Sequence, residues 1–457
     1  MAHVDRNPDA FPQGTVLLED KQSGSSKIIL SPTPSDDPDD PLNWTPLRKA
    51  VNFGLTCSYV FFTFVLIDIN YLAYRPYIAE LGLDYGTFNL ASGCSLLGLA
   101  VGCLLFRNHA MQFVAAIWWA NFHKRGGLLG VSLLAGLAGS ISEAIVMITI
   151  NDMFFVHQHA RFNGIFVIKQ SLGTTGGPSV CGYIVSDIGW RWIDTKTPAS
   201  ATIATPVSSQ IHRGRSRKSY RQRLAFVTKS PGSIIPHFYQ PLIIFFSFPA
   251  VAYAATTYGT ILAFFSASSS AGSYFFIYPP YNFGPSTIGL FQLGSFVGSL
   301  IGMLTIPWLI DWLIIKFAKR NEGVFEPEMR LWMSIPAAGI NCAAMILYGC
   351  RGWHWAILAF AMDVASTYLS DAYPEILADA LIAVVFIRNG FASIIRFSFT
   401  DWLNAIGIEH TFLLIGLIAL VSVVVPILLL RYGKAARIRT AERYRLFAER
   451  QVVQRGF

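Results

Sequence analysis

Charged side chains are scarce in this chain. Asp, Glu, Lys and Arg supply 14% of its 457 residues, against roughly 25% in an ordinary soluble domain. Disulfide and metal-site patterns are lacking as well. The six Cys, at 57, 94, 103, 181, 342 and 350, lie in or beside apolar segments and form no C-x-x-C pair. They read as small membrane hydrophobes, neither a disulfide framework nor a metal site, so no metal and no cofactor is expected. The first 50 residues are polar, rich in Pro and Asp, with no short apolar core before a cleavage site, which argues against a signal peptide. The sequence also has no G-x-x-x-x-G-K-[ST], no H-E-x-x-H and no G-x-S-x-G. An ATP-driven pump and the commoner hydrolases are therefore disfavoured, and the chain is not expected to be an enzyme.

What the sequence has is hydrophobic length. Hydrophobic residues make up 53%, mean hydropathy is +0.45, and many runs reach the ~20 residues a helix needs to cross a ~30 Å hydrocarbon layer. An all-α polytopic membrane protein follows, with the lipid bilayer as its first partner. Ten spans are expected near 51–74, 86–106, 126–150, 162–186, 241–266, 286–310, 332–350, 353–370, 377–399 and 410–431. An eleventh, MQFVAAIWWANF at 111–122, has only twelve residues. The expected organisation is a disordered cytosolic tail (1–50), an amino-terminal bundle (51–190), a basic linker (191–240), a carboxy-terminal bundle (241–431) and a basic cytosolic tail (432–457).

Positive charge is concentrated outside the spans. Residues 195–240 hold eight Lys/Arg and no Asp or Glu, and the tail from Arg431 holds eight Lys/Arg against Glu442 and Glu449. By the positive-inside rule both belong in the cytosol, as does the mixed stretch 313–330. The net charge of +8 thus reflects topology and anionic lipid rather than nucleic acid.

One span is unusual in composition. SLGTTGGPSVCGYIV at 171–185 places Gly173, Gly176, Gly177 and Gly182 around Pro178. Gly173 and Gly177, four apart, share a helix face and admit a close neighbour. Pro178 removes a backbone donor and can kink the helix. Gly173-x-x-x-Gly177-Pro178-x-x-Cys181-Gly182 resembles the fifth-helix antiporter motif of the major facilitator superfamily, with Cys181 where the motif has a Gly. DDPDDPLNW at 36–44, SEAIVMITINDMFFVHQ at 142–158, GWRW at 189–192, PPYNFGPSTIGL at 279–290, KRNEGVFEPEMRLW at 319–332 and YLSDAYPEILADA at 368–380 resemble its fungal drug:proton antiporter branch. The resemblance implies two six-helix bundles, cytosolic termini, a central cavity opened alternately to each side, and a substrate that is a small organic molecule moved against a proton. It also implies a monomer in the plasma membrane rather than the vacuolar membrane.

The chain departs from that pattern. RNHA stands between Phe106 and Met111 where the family has a Gly- and Arg-rich loop and the start of helix three. No sixth helix follows GWRW, and the tenth span looks abbreviated between Trp355 and Tyr368. The family's Arg of the fourth helix, four before a Gly, is here Ser132 before Gly136. About ten or eleven spans remain of twelve. A topological conflict results: if HQHAR at 157–161 is cytosolic, helix five ends outside, and so does the basic linker. Either 111–122 does not cross, or one half is strained in orientation, or this is an altered gene product. The charge rule favours a cytosolic linker, with 111–122, about 18 Å of helix, failing to span. A defective, non-transporting scaffold or receptor-like remnant is accordingly the alternative to an exporter.

Intramembrane acids are the chemical candidates. Glu143, mid-span, is expected to exchange a proton for substrate, or else to be a protonated packing residue. Asp152, nine residues on, reads as a further coupling acid or an interfacial charge. Asp68 in VLIDINYLAYR, near Asn70 and Tyr71, is a third. Asp371, Glu375 and Asp379 recur every four residues on one face and read as gate charges toward Lys316 or Arg320, or as a solvated face. Arg388 and Arg396 share a face of the eleventh span and need partners, water or a route to the interface.

Overall fold

The computed structural model describes residues 41–68, 74–105, 110–140, 168–187, 235–279, 282–321, 324–339 and 376–455, the pair Val16–Leu17, and isolated positions between these stretches. Nearly all of it is helix, as a chain in lipid requires when its backbone groups must be satisfied within the segment. The helices are α1 Pro46–Asp68, α2 Tyr74–Leu81, α3 Tyr85–Leu105, α4 Ala110–Ala120, α5 Arg125–Gly139, α6 Gly177–Asp187, α7 Ile235–Ser247, α8 Pro249–Phe275, α9 Pro285–Arg320 and α10 Leu377–Arg455. Four stretches are long and apolar enough to cross a bilayer among the described residues: Pro46–Asp68, Tyr85–Leu104, Pro249–Gly272 and Asp379–Ile418. The last contains Gly407 at φ 75°, where two successive spans meet.

Local chemistry sets the helix ends. Thr45 Oγ1 accepts the Arg48 N–H at 3.4 Å ahead of Pro46, and Pro is favoured in a first turn. Asp84 precedes α3 and accepts the Thr87 hydroxyl. That bond holds the Asp84 carboxyl below its ordinary value, against a small opposing effect of burial.

Helix directions follow from close contacts. A Cβ on Gly98 would lie 2.5 Å from Leu133 O, and one on Gly102 2.6 Å from Leu137 O, while Gly136 faces Ser95 and Gly98. Rising numbers on α3 meet rising numbers on α5, so the two are parallel. The chain between them must return to the end where α3 begins. Ala110–Ala120 lies on that return, yet it is not among the four stretches long and apolar enough to cross a bilayer. Trp119 Nε1 donates to Tyr77 Oη at 3.1 Å, and Phe122 packs edge-on to Tyr77, which stacks on Phe88 near the start of α3. The eleven residues of α4 rise about 16 Å.

By the same reasoning α6 is parallel to α1, because Gly173 faces Phe61 and Phe64 and Gly177 faces Val65. Asp187 therefore lies at the Tyr85 end of the molecule. On the other side, α8 and α10 are parallel, with Gly259 against Arg388 and Phe391 and Ser266 beside Arg396. Gln240 on α7 bonds Asp379 at 2.8 Å, some 25 to 30 Å of helix below the contacts α8 and α10 make near Tyr85. Ile235 consequently lies at the opposite, Pro46 end. Residues 188–234 join opposite ends of the bundle and contain no long apolar run.

The second half is closed at the Pro46 end by polar as well as apolar packing. The 3-10 turn Pro327–Met333 meets the carboxy-terminal part of α10, and Val16–Leu17 pairs antiparallel with Val324–Phe325. A two-residue strand is thus present within the tail expected to be disordered. The largest apolar cluster here gathers Ile244, Phe248, Tyr253, Leu331, Tyr368, Tyr373 and Tyr444.

Candidate functional site at the seams between the halves

Two seams join residues 46–187 to residues 235–455. In the first, α3 runs antiparallel to α10. Asn89 Nδ2 donates to Thr400 Oγ1 at 2.7 Å, Ser270 Oγ of α8 donates to Asn89 Oδ1 at 2.9 Å, and Ser393 Oγ donates to Gly93 O at 2.8 Å. Asn89 is buried at 1% exposure, and a Cβ at Gly93 would run into the Phe397 ring, which would have to move. In the second seam, α6 crosses α9. A Cβ on Gly182 would stand 2.7 Å from Pro285 O, and one on Gly289 2.7 Å from Pro178 O. Ser179 Oγ closes that crossing by donating to Gly289 O at 2.8 Å.

These contacts share a character. They use backbone approach and neutral hydroxyls or amides, with no ion pair among the described residues of either seam. Each neutral bond contributes about 0.6 to 1 kcal/mol, and parting one would strand no charge. All lie toward the Tyr85 end.

The motif helix is built as follows. Pro178 has no N–H to offer Thr174, four residues back. The helix answers with a π turn over Leu172–Gly176, and Gly177 N–H donates to Leu172 O. Thr174 and Thr175 turn their hydroxyls to Gln170 O and Ser171 O at 3.0 and 2.6 Å. Gly173 and Gly177 then pack on α1 of their own half, whereas Gly182 packs on the other half. One motif thus serves two different neighbours.

No protein-family model matches the chain. It is 25% identical over 563 aligned positions to an uncharacterised MFS-type transporter of Schizosaccharomyces pombe, covering 96% of this chain and 95% of that protein. It is 23% identical to the efflux pump vrtL of Penicillium aethiopicum, over 85% of this chain and 89% of the pump. The crystal structure of the human organic anion transporter MFSD10 superposes with a TM-score of 0.52 at 14% identity, covering 84% of this chain and all of that one. This is a major facilitator fold. Its homologues are MFS-type transporters, efflux pumps among them, rather than enzymes, and the chain is a multi-pass membrane protein.

Within the major facilitator fold the candidate acids fall unevenly. Glu143, Asp152, Asp371 and Glu375 lie outside the described residues. Asp68 is the last residue of α1 and is half-buried. Asp379 accepts Gln240 Nε2, while Lys316 stands over the Trp312 ring at 4.7 Å and Arg320 is exposed at the end of α9.

A charge cluster missed in the sequence sits at the Pro46 end. Arg437 Nε and Nη2 meet Glu328 Oε1 and Oε2 at 2.8 and 2.6 Å, a fork-to-fork pair. Both side chains are buried, 1% and 8% exposed. Gly433 leaves room, since its Cβ would lie 3.0 Å from Glu328 Oε1. Neither residue carries a local signal: Glu328 and Arg437 are 109 positions apart. Gly98-x-x-x-Gly102 could have been noticed as a small-residue face, whereas Asn89 offers no pattern at all.

Proposed function

We propose that this chain is a secondary transporter that exports small organic molecules in exchange for protons by alternating access. The observation that carries the reading is the pair of seams. Close glycine crossings and neutral hydrogen bonds, rather than ion pairs, are contacts that the halves could part and remake at the Tyr85 end. The efflux-pump names of relatives support the direction of transport. Glu143 is the proton carrier in this reading, Asp68 and Asp152 are auxiliary acids, and the proposed location is the plasma membrane. The test is reconstitution of the full chain in vesicles with a pH gradient and a fluorescent cation, rhodamine 6G. Glu143→Gln is expected to abolish the pH dependence of flux while the protein stays folded and inserted. Proton-coupled flux unchanged in that variant removes Glu143 from the mechanism.

A second reading, a scaffold that no longer transports, is favoured by one observation. Asp187 and Ile235 lie at opposite ends, yet 188–234 hold no apolar run able to cross. The alignment to the S. pombe transporter spans more positions than this chain has residues, so that relative carries residues where this chain has none. Absence of any gradient-driven flux from correctly inserted protein would decide for this reading.

A further inference from the structure

Arg388 and Arg396 stand eight residues apart on α10, so about 12 Å separates them along the axis. Both are buried, at 6% and 3% exposure, and both turn toward α8. The Arg388 guanidinium lies 5.9 Å from the centre of the Tyr258 ring. Arg396 donates Nη1 to Ser266 O at 3.1 Å. Its Nε is buried with no hydrogen-bond partner among the described residues, and no described carboxylate pairs with it.

That arrangement is costly in a membrane span unless something uses it. Arginines inside a bilayer protein face a bundle interior or a water-filled cavity and are rare without a role. Among the described residues, the elements packed around Arg396 offer no counter-charge: α3 and α8 contain no Asp or Glu. On α10 itself, Asp379 is about 25 Å below and bound by Gln240, and Asp401 is exposed. What α8 does present is hydroxyl, with Thr257, Thr260, Ser268, Ser269 and Ser270 all buried. A hydroxyl can donate one hydrogen bond to an anion beside the charge-assisted ones of a guanidinium. Arg396 also lies one turn from Ser393, whose hydroxyl bridges the first seam to Gly93. When that seam parts, this stretch of α10 is what it uncovers.

We propose that Arg396, with Arg388 deeper on the same helix, forms an anion-binding subsite between α8 and α10 that takes the carboxylate or phosphate group of an organic substrate when the α3–α10 seam opens. The substrate class thus includes organic anions, and the planar fork of Arg396 fits a two-oxygen acceptor. This rests on the alternating-access reading above, but binding tests it separately from flux.

The experiment uses the full chain in lipid nanodiscs and two dyes of similar ring system, fluorescein as the anion and rhodamine 6G as the cation, with binding read by fluorescence anisotropy. The parent chain is expected to bind fluorescein, Arg396→Gln to weaken it roughly tenfold or more, and Arg396→Lys to keep part of the affinity. Rhodamine 6G binding should not weaken in Arg396→Gln, since the loss of a like charge does not disfavour a cation. Failure of the parent to bind fluorescein, or equal fluorescein affinity in Arg396→Gln, overturns the proposal. Asp363, which like Asp371 and Glu375 lies outside the described residues, is the acid nearest in sequence to the apolar part of its span and is tested as a counter-charge. A melting temperature lowered in Arg396→Gln but restored in the double variant with Asp363→Asn, with fluorescein binding unaffected, would make Arg396 a structural ion-pair partner and also overturn it. Gradient-driven rhodamine flux without fluorescein binding leaves the transport reading standing and removes this one. Fluorescein binding without any flux does the reverse.

Discussion

Gly182 and Gly289 hold two backbones at a separation that a single added carbon would spoil. Gly289→Leu is therefore expected to cut flux about tenfold or more, since the second seam can no longer close, while insertion is unaffected. Gly390 provides the control: nothing lies within 4 Å of a Cβ built there, so Gly390→Ala should transport like the parent. Parallel flux measurements on both variants check this. At this scale the sequence was partly legible. Gly173 and Gly177 could be named from their spacing, because small residues four apart share one face of a membrane helix and admit a close neighbour, and Gly182 from the motif it completes. Their partners could not be, since Phe61, Val65 and Pro285 carry no mark of what approaches them. Asn89 was illegible for the same reason: an amide in a span is identified only by the hydroxyls that reach it, Thr400 and Ser270.

Between elements, the pair Glu328–Arg437 binds the Pro327–Met333 turn to the carboxy-terminal stretch of α10. Removing one member leaves a buried charge alone, so Glu328→Gln or Arg437→Gln should each cost about 3 to 5 kcal/mol. Combining Glu328→Arg with Arg437→Glu should recover part of that loss. Thermal melts in detergent measure both. At the opposite end, the Asp84 to Thr87 bond holds the Asp84 carboxyl low. A depressed carboxyl stabilises the fold above its unfolded value, near 3.9, and stops doing so as pH falls through the folded value. Thr87→Val should melt below the parent at pH 7, with the difference shrinking as pH falls through the depressed value of the Asp84 carboxyl. Helix direction was the element-scale property least legible in the sequence. A twelve-residue apolar stretch, judged alone, is too short to cross. Only the parallel contacts of Gly98 and Gly102 with α5 show that the chain must return through it.

For the whole molecule, membrane class and major facilitator fold were legible, because composition and long phrases report them without any contact. The route of 188–234 was not, since hydropathy and charge make opposing demands. Asp187 at the Tyr85 end and eight uncompensated positive charges in 195–240 predict opposite sides for the two ends of this segment. A cysteine at Asp187 is expected to react with an impermeant thiol reagent on intact cells. One at Ser208 should react only after permeabilisation. Labelling of Ser208→Cys from outside would mean that the flanking charge does not decide the route.

The short strand pair between Val16–Leu17 and Val324–Phe325 has a consequence in time. A ribosome adds roughly 5 to 20 residues per second, so the amino-terminal strand is exposed for some tens of seconds before its partner exists. During that interval both bundles' first helices are already being inserted, and the strand must stay soluble and unpaired. Fusing a bulky domain directly ahead of Val16 would put that domain where Phe325 has to dock. A tag at the carboxy terminus avoids the competition.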